Sequence, residues 1–202
     1  EDTVTYQISG SNGFTAEGRE RMYNTVMWDN LSNLIDNGLS SEQAIEEVTK
    51  ARKFIEYRQL TVINNKGQSS SFSGSKTLGT HAEAKGNNCI AAGNLLNSTK
   101  IPQAMVDNFA KNSQLHLAER LLMALQAGLD AGGEEGPIHS AGIKVAHEHP
   151  WPLVDLRVDW ADKNPIDKLI KLWQDYEEQM MDYNTRAVDP RSAPSYGVSG
   201  DL

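Results

Sequence analysis

The sequence predicts an α+β domain in which antiparallel sheet is layered with helices. Three observations predict it. Helical and strand segments follow one another in the order β-α-α-β-β-β-α-α-β-β-α, so paired helices alternate with hairpins. The Asn64-Asn65-Lys66-Gly67 stretch has hairpin-turn chemistry between two strand-like segments. Residues 115–131, LHLAERLLMALQAGLDA, form a strongly amphipathic helix that ends in glycines. No internal repeat or domain linker is visible, and the 202 residues suit one well-buried core rather than two.

Residues 3–9 alternate Val4, Tyr6 and Ile8 with polar residues, which is the period of a strand. A helix over 19–38 has Met22, Val26, Met27, Leu31, Leu34 and Ile35 as its apolar stripe, and Gly38 ends it. Ser40 with Gln43 makes a capping box for a second helix that runs to about Ala51. Residues 57–63 form a strand, and the stretch after Gly67 returns as its partner. Residues 88–92, NCIAA, read as a short strand of buried character. Pro102 and Pro165 each stand in the first turn of a helix, where the missing N–H costs nothing. The last helix has Ile166, Leu169, Ile170, Leu172, Trp173, Tyr176 and Met180 as apolar positions. Between these helices lie the strands IHSAGIKVA and LVDLRVDW. The tail, residues 187–202, is rich in Pro, Gly and Ser and reads as irregular chain.

A formal charge of −8, spread along the chain, argues against nucleic acid as a partner, because that contact needs clustered Lys and Arg. No apolar run is long enough for a membrane span, and the first residues have neither a basic region nor an apolar core of a signal peptide. The single cysteine, Cys89, rules out an intrachain disulfide and a multi-cysteine zinc site. It fits a reducing compartment, so a cytoplasmic location is expected.

Polar residues gather in three places. Gly93-Asn94 follows the NCIAA strand, where a glycine amide and an Asn side chain suit an oxyanion; the plainer reading is a strand-ending turn. The loop Gly132-Gly133-Glu134-Glu135-Gly136-Pro137 leads to Ser140, which alternates with Ile138 and faces a cleft in the functional reading. No GxSxG elbow accompanies it, and a helix cap followed by a loop also explains the segment. Asp155, Arg157 and Asp159 share one face of a strand, an arrangement that orients a polar substrate or holds itself together as an ion-pair network. Arg58, which opens a strand, is a further substrate-binding candidate. Cys89 has apolar neighbours and reads as a small core residue rather than a nucleophile. His147 and His149 lack further ligands at metal spacing, so neither metal nor cofactor is expected.

Taken in order, NGLSSEQAIEEVT, YRQLTVINNKGQSSSFSG, CIAAGNLL, LAERLLMALQAGLDAGGEEGPIHSAGI, DLRVDW with NPIDKLIKLW, and DPRSAPSYGVSGD resemble one bacterial family known only as a domain of unknown function. That family has the fold of the N-terminal-nucleophile hydrolases, and the resemblance runs from about Ile8 to the C-terminus. It implies an αββα sandwich, two antiparallel sheets flanked by helices, and an amidohydrolase activity on a small amide or cyclic amide. In that superfamily an N-terminal Thr, Ser or Cys is the nucleophile and its own α-amine is the base, which works because an α-amine titrates near neutrality.

Family members open with Met-Thr-Phe and a hairpin, whereas this chain begins at Glu1 with Thr3 and Thr5 internal. The N-terminal hairpin and its nucleophile are therefore expected to be missing. A truncated chain, a fragment of a two-part protein and a non-catalytic member that reuses the fold for binding or assembly all fit that departure. Site chemistry, rather than the resemblance, assigns Asn94 and Ser140 to catalysis and Gly93, Arg58, Asp155, Arg157 and Asp159 to a small-molecule substrate. Late Trp and Tyr positions suit a homodimer.

Overall fold

The computed structural model describes residues 30–50 and 52–197. The expected strand over 3–9, the first part of the expected first helix and the last five residues lie outside that range. Among the described residues, six strands pair as three antiparallel hairpins, interleaved with helices. The α+β class is the one observed.

Residues 30–36 are helical and stop at Gly38, whose φ of +90° needs a glycine. The capping box forms as the spacing predicts. Ser40 N donates to Gln43 Oε1 at 2.9 Å, and Gln43 N donates to Ser40 Oγ at 3.2 Å. It starts helix α1, Ser41–Lys50. Leu31, Ala44, Ile45, Val48 and Leu60 make a small core there, flanked by Val62 and Phe72.

Strand β1, Gln59–Ile63, pairs with β2, Ser69–Ser73, around the predicted turn. Asn64 Oδ1 accepts from the N–H groups of Lys66 and Gln68, both at 3.0 Å. Tyr57 is not in the strand: Ile55–Tyr57 is a single 3-10 turn, entered through Phe54 in the left-handed region.

The second hairpin joins β3, Ala82–Gly86, to β4, Cys89–Gly93. Strand β3 has no counterpart in the sequence reading. Its residues, Ala-Glu-Ala-Lys-Gly, are poor strand formers and bury only Ala84. Cross-hairpin bonds compensate: Glu83 accepts from Ser71 Oγ at 3.2 Å and Ser73 Oγ at 2.6 Å, and Gln59 Nε2 donates to Ala82 O at 3.2 Å.

Helix α2, Ile101–Lys111, packs on this hairpin and on α3, Leu117–Asp130. The third hairpin pairs β5, Ala141–Ala146, with β6, Pro152–Val158. Its inward residues Ile143, Val145, Leu153 and Val154 meet Leu122 of α3 and Ile166, Leu169, Trp173 and Met180 of α4, Pro165–Val188. This is the larger core; it follows from strand period 2 meeting helix period 3.6, except that a β-bulge at Leu153 lets the adjacent Leu153 and Val154 both be buried. Leu172, expected on the apolar stripe, is 40% exposed. The helix runs to Val188, so the tail begins slightly later than expected. It opens with the 3-10 turn Pro190–Ser192 and folds back on α4, where Arg186 donates to Pro194 O at 2.5 Å and lies over the Tyr196 ring. No helix among the described residues is long and apolar enough to cross a membrane.

Candidate active site

The glycine-rich loop begins as a helix cap. Gly133 N donates to Gly128 O at 3.1 Å and Gly132 N to Leu129 O at 3.0 Å, the crossed pair that closes a helix through a left-handed residue. Gly132 and Gly133 have φ of +129° and +60°. The cap turns the chain against residues 95–97. Asn97 N donates to Gly133 O at 3.0 Å and Glu135 N to Leu95 O at 2.8 Å, with Leu96 and Glu134 forming an antiparallel bridge between them. The Asn97 carboxamide adds bonds to Gly132 O at 2.8 Å and Glu134 O at 2.5 Å.

A third loop closes on the other side. Leu95 N donates to Leu78 O at 3.1 Å, Leu96 N donates to Thr80 O at 2.9 Å, and Asn94 Nδ2 reaches Leu78 O at 3.4 Å. The same loop binds the backbone of Arg58, whose carbonyl accepts from Gly74 N at 2.9 Å and Thr77 Oγ1 at 3.3 Å. The structure therefore brings Arg58, Gly93, Asn94 and the glycine-rich loop into one belt at the open ends of the first two hairpins. Gly93 has a packing reason as well, since a Cβ there would lie 2.9 Å from Leu96 Cδ2.

Glu134 gives this belt its titratable group. Its side chain is half-buried, and burial pushes the carboxyl above the usual range, because desolvation disfavours the charged form. Sequence reading passed over Glu134 and Asn97 as site residues. The signal available for Asn97 was an amide placed a few residues beyond Gly93-Asn94, a type that satisfies the carbonyls left free at a helix end.

The remaining candidates sit on the third hairpin. Ser140 precedes β5 rather than lying within it, and is half-buried. Its neighbour His139 is fixed by Ala161, with Ala161 N donating to His139 O at 2.7 Å, and stacks on Trp160 at 4.1 Å. Asp155 pairs with Lys144, its cross-strand partner, at 3.2 Å. Arg157 pairs with Asp159 at 2.6 Å, and Asp159 stands just past the strand end. Asp155 and Arg157 share the solvent side of β6, with Asp159 just beyond it, and all three are substantially exposed.

Cys89 is only half-buried, at the turn end of the second hairpin. Burial pushes its thiol up, partly offset by the nearby Arg120, which is the opposite of what a nucleophile needs. His149 stacks on Trp151 at 4.7 Å, and no group of three or more metal-binding side chains converges among the described residues.

Comparison with known proteins adds three findings. The crystal structure of protein SPO2555 from Silicibacter pomeroyi is similar to this chain at 27% identity and a TM-score of 0.68, over 85% of this chain and 71% of that one; that protein is assigned to the family DUF1028. No curated protein matches. The model of the same family matches residues 12–169, which include the hairpins, the glycine-rich loop and DLRVD. The resemblance carried by those motifs thus holds, and the chain belongs to the family of unknown function DUF1028.

Proposed function

We propose that this domain is an amide hydrolase of the N-terminal-nucleophile type, built as an αββα sandwich and acting on a small amide or cyclic amide. The observation that carries the proposal is the belt of three loops that includes Glu134, whose carboxyl is half-buried. A carboxyl held above its usual range keeps its proton closer to neutrality, which is what proton transfer to a leaving amine requires. Asn94 spends one N–H on a 3.4 Å contact and has a second for an oxyanion. Arg58, tied to the same loop, supplies a guanidinium for an anionic group on the substrate. The nucleophile of such an enzyme is the N-terminal residue of the native protein. Nothing in the proposed chemistry needs Ser140, Asp155, Arg157 or Asp159, all of which belong to the third hairpin or its flanks.

A non-catalytic binding protein is the second reading. It is favoured by the internal pairing of the polar candidates: Asp155 with Lys144, Arg157 with Asp159, and the Asn97 amide with two carbonyls. Intact mass and N-terminal sequencing of the native protein, followed by a hydrolysis screen of linear amides and cyclic imides, separate the two. Turnover that falls at least tenfold in Asn94→Ala and changes its pH profile in Glu134→Gln supports the enzyme. Absence of turnover by native protein, together with saturable binding of the same compounds, supports the binding protein.

A further inference from the structure

Asn97 spends every donor it has on three successive carbonyls. Its backbone N–H goes to Gly133 O at 3.0 Å, and its side-chain N–H groups go to Gly132 O at 2.8 Å and Glu134 O at 2.5 Å. Carbonyls only accept, so these partners decide which end of the carboxamide is which. Nδ2 faces the glycine-rich loop and Oδ1 faces away from it. A flip would break both side-chain bonds, which holds the group in one orientation. Oδ1 is thus a fixed acceptor on an exposed residue of the belt, with no hydrogen-bond partner among the described residues. Earlier on the same short stretch, Asn94 uses one side-chain N–H on Leu78 O and keeps its second. The chain leaving β4 therefore presents one oriented acceptor and one spare donor, the complement of an amide's N–H and C=O.

We infer, on the reading of the belt as the substrate site, that Asn97 Oδ1 is its specificity-determining acceptor and takes the N–H of the substrate. The substrates are then amides that carry a hydrogen on nitrogen, and N-alkylated amides are rejected. Asn94 meets the carbonyl end of the amide, and Asn97 meets the nitrogen end. A methyl group in place of that hydrogen removes the donor and also brings carbon against Oδ1. A site built to hydrogen-bond a substrate N–H discriminates against the analogue without it, because its own polar atom is left unpaired.

N-acetylglycine and N-acetylsarcosine differ only in that methyl, and both carry a carboxylate, the anionic group assigned to Arg58. Each is titrated into the full chain and followed by NMR. Wild type is expected to bind N-acetylglycine about tenfold more tightly or better. In Asn97→Ala the preference should fall below about twofold. A merely structural Asn97 would weaken both ligands together and leave their ratio unchanged, which would overturn the inference. So would equal binding of the two by wild type, or binding of neither. Should Asn97→Ala fail to fold by circular dichroism, the Asn97 side-chain amide signals of wild type read the same contact. They should move with N-acetylglycine and stay with N-acetylsarcosine, and movement with both or with neither overturns the inference. Selective binding without turnover would sink the hydrolase and leave the role of Asn97 standing. Turnover of both compounds at equal kcat/KM would do the reverse.

Discussion

The Asn97 carboxamide bridges the carbonyls of Gly132 and Glu134, at 2.8 and 2.5 Å, and so fastens the end of α3 to the chain leaving β4. Removing it leaves two carbonyls to find other donors. Asn97→Ala should cost about 1–3 kcal/mol. Asn97→Asp should cost more, because a carboxylate brings acceptors against acceptors. Urea denaturation measures both, and an alanine variant within about 0.5 kcal/mol of wild type would remove Asn97 from the account of the loop.

Glu134 predicts an unusual pH dependence. Burial raises its folded pKa above the unfolded value, so the folded state holds the proton more tightly. Its contribution to stability is then fully present below the unfolded pKa and is lost as pH rises through the folded one. Glu134→Gln cannot ionise. Its stability relative to wild type should rise across that window and level off above it. Melting temperatures of both proteins from acid to neutral pH check the sign. A relative stability that falls with rising pH would show that the carboxylate, not the acid, is the favoured form.

Leu169 of α4 is fully buried in the core that this helix shares with the third hairpin. Leu169→Ala should cost about 2–5 kcal/mol, the transfer of the side chain plus the cavity it leaves. A smaller loss in chemical denaturation would mean that neighbours collapse into the space.

The capping box gives a cleaner local test. Ser40→Ala removes the acceptor for Gln43 N and should cost about 1 kcal/mol, felt in the small core that α1 covers. Hydrogen exchange should rise in α1 and leave α4 unchanged. Equal acceleration in both helices would show that the two cores unfold as one unit.

The ion pairs on β6 should matter little for folding. Asp155→Ala and Arg157→Ala are each expected to change stability by less than about 1 kcal/mol, because the pairs are exposed. Larger losses in denaturation would show that this face is part of the structural frame.

Local chemistry was the readable part of the fold. Ser40 and Gln43, Asn64 to Gly67, Pro102 and Pro165 act within a turn or two of themselves, and each does what its type and spacing predict. The exposure of Asp155 and Arg157 was readable from strand period. Their partners were readable only in part: Asp159 is two residues from Arg157, but Lys144 meets Asp155 through the register of β5 on β6, which no local pattern fixes. Strand β3 stayed hidden because its stability comes from Gln59, Ser71 and Ser73 on another hairpin. Asn97 carried only the hint of its type, because its partners lie 35 and 37 residues away.

Gly67, at φ +74°, turns the first hairpin beside Asn88, at φ +55°, in the turn of the second; a Cβ on Gly67 would sit 1.6 Å from Asn88 Oδ1. The tips of the two hairpins are thus wedged together, and a side chain on Gly67 would push them apart. The opposite end is built differently, from the loops after β2, β4 and α3, which are joined by hydrogen bonds. Such a chain has a fixed heel, so the register of its first two hairpins is held at the tips as well as along the strands.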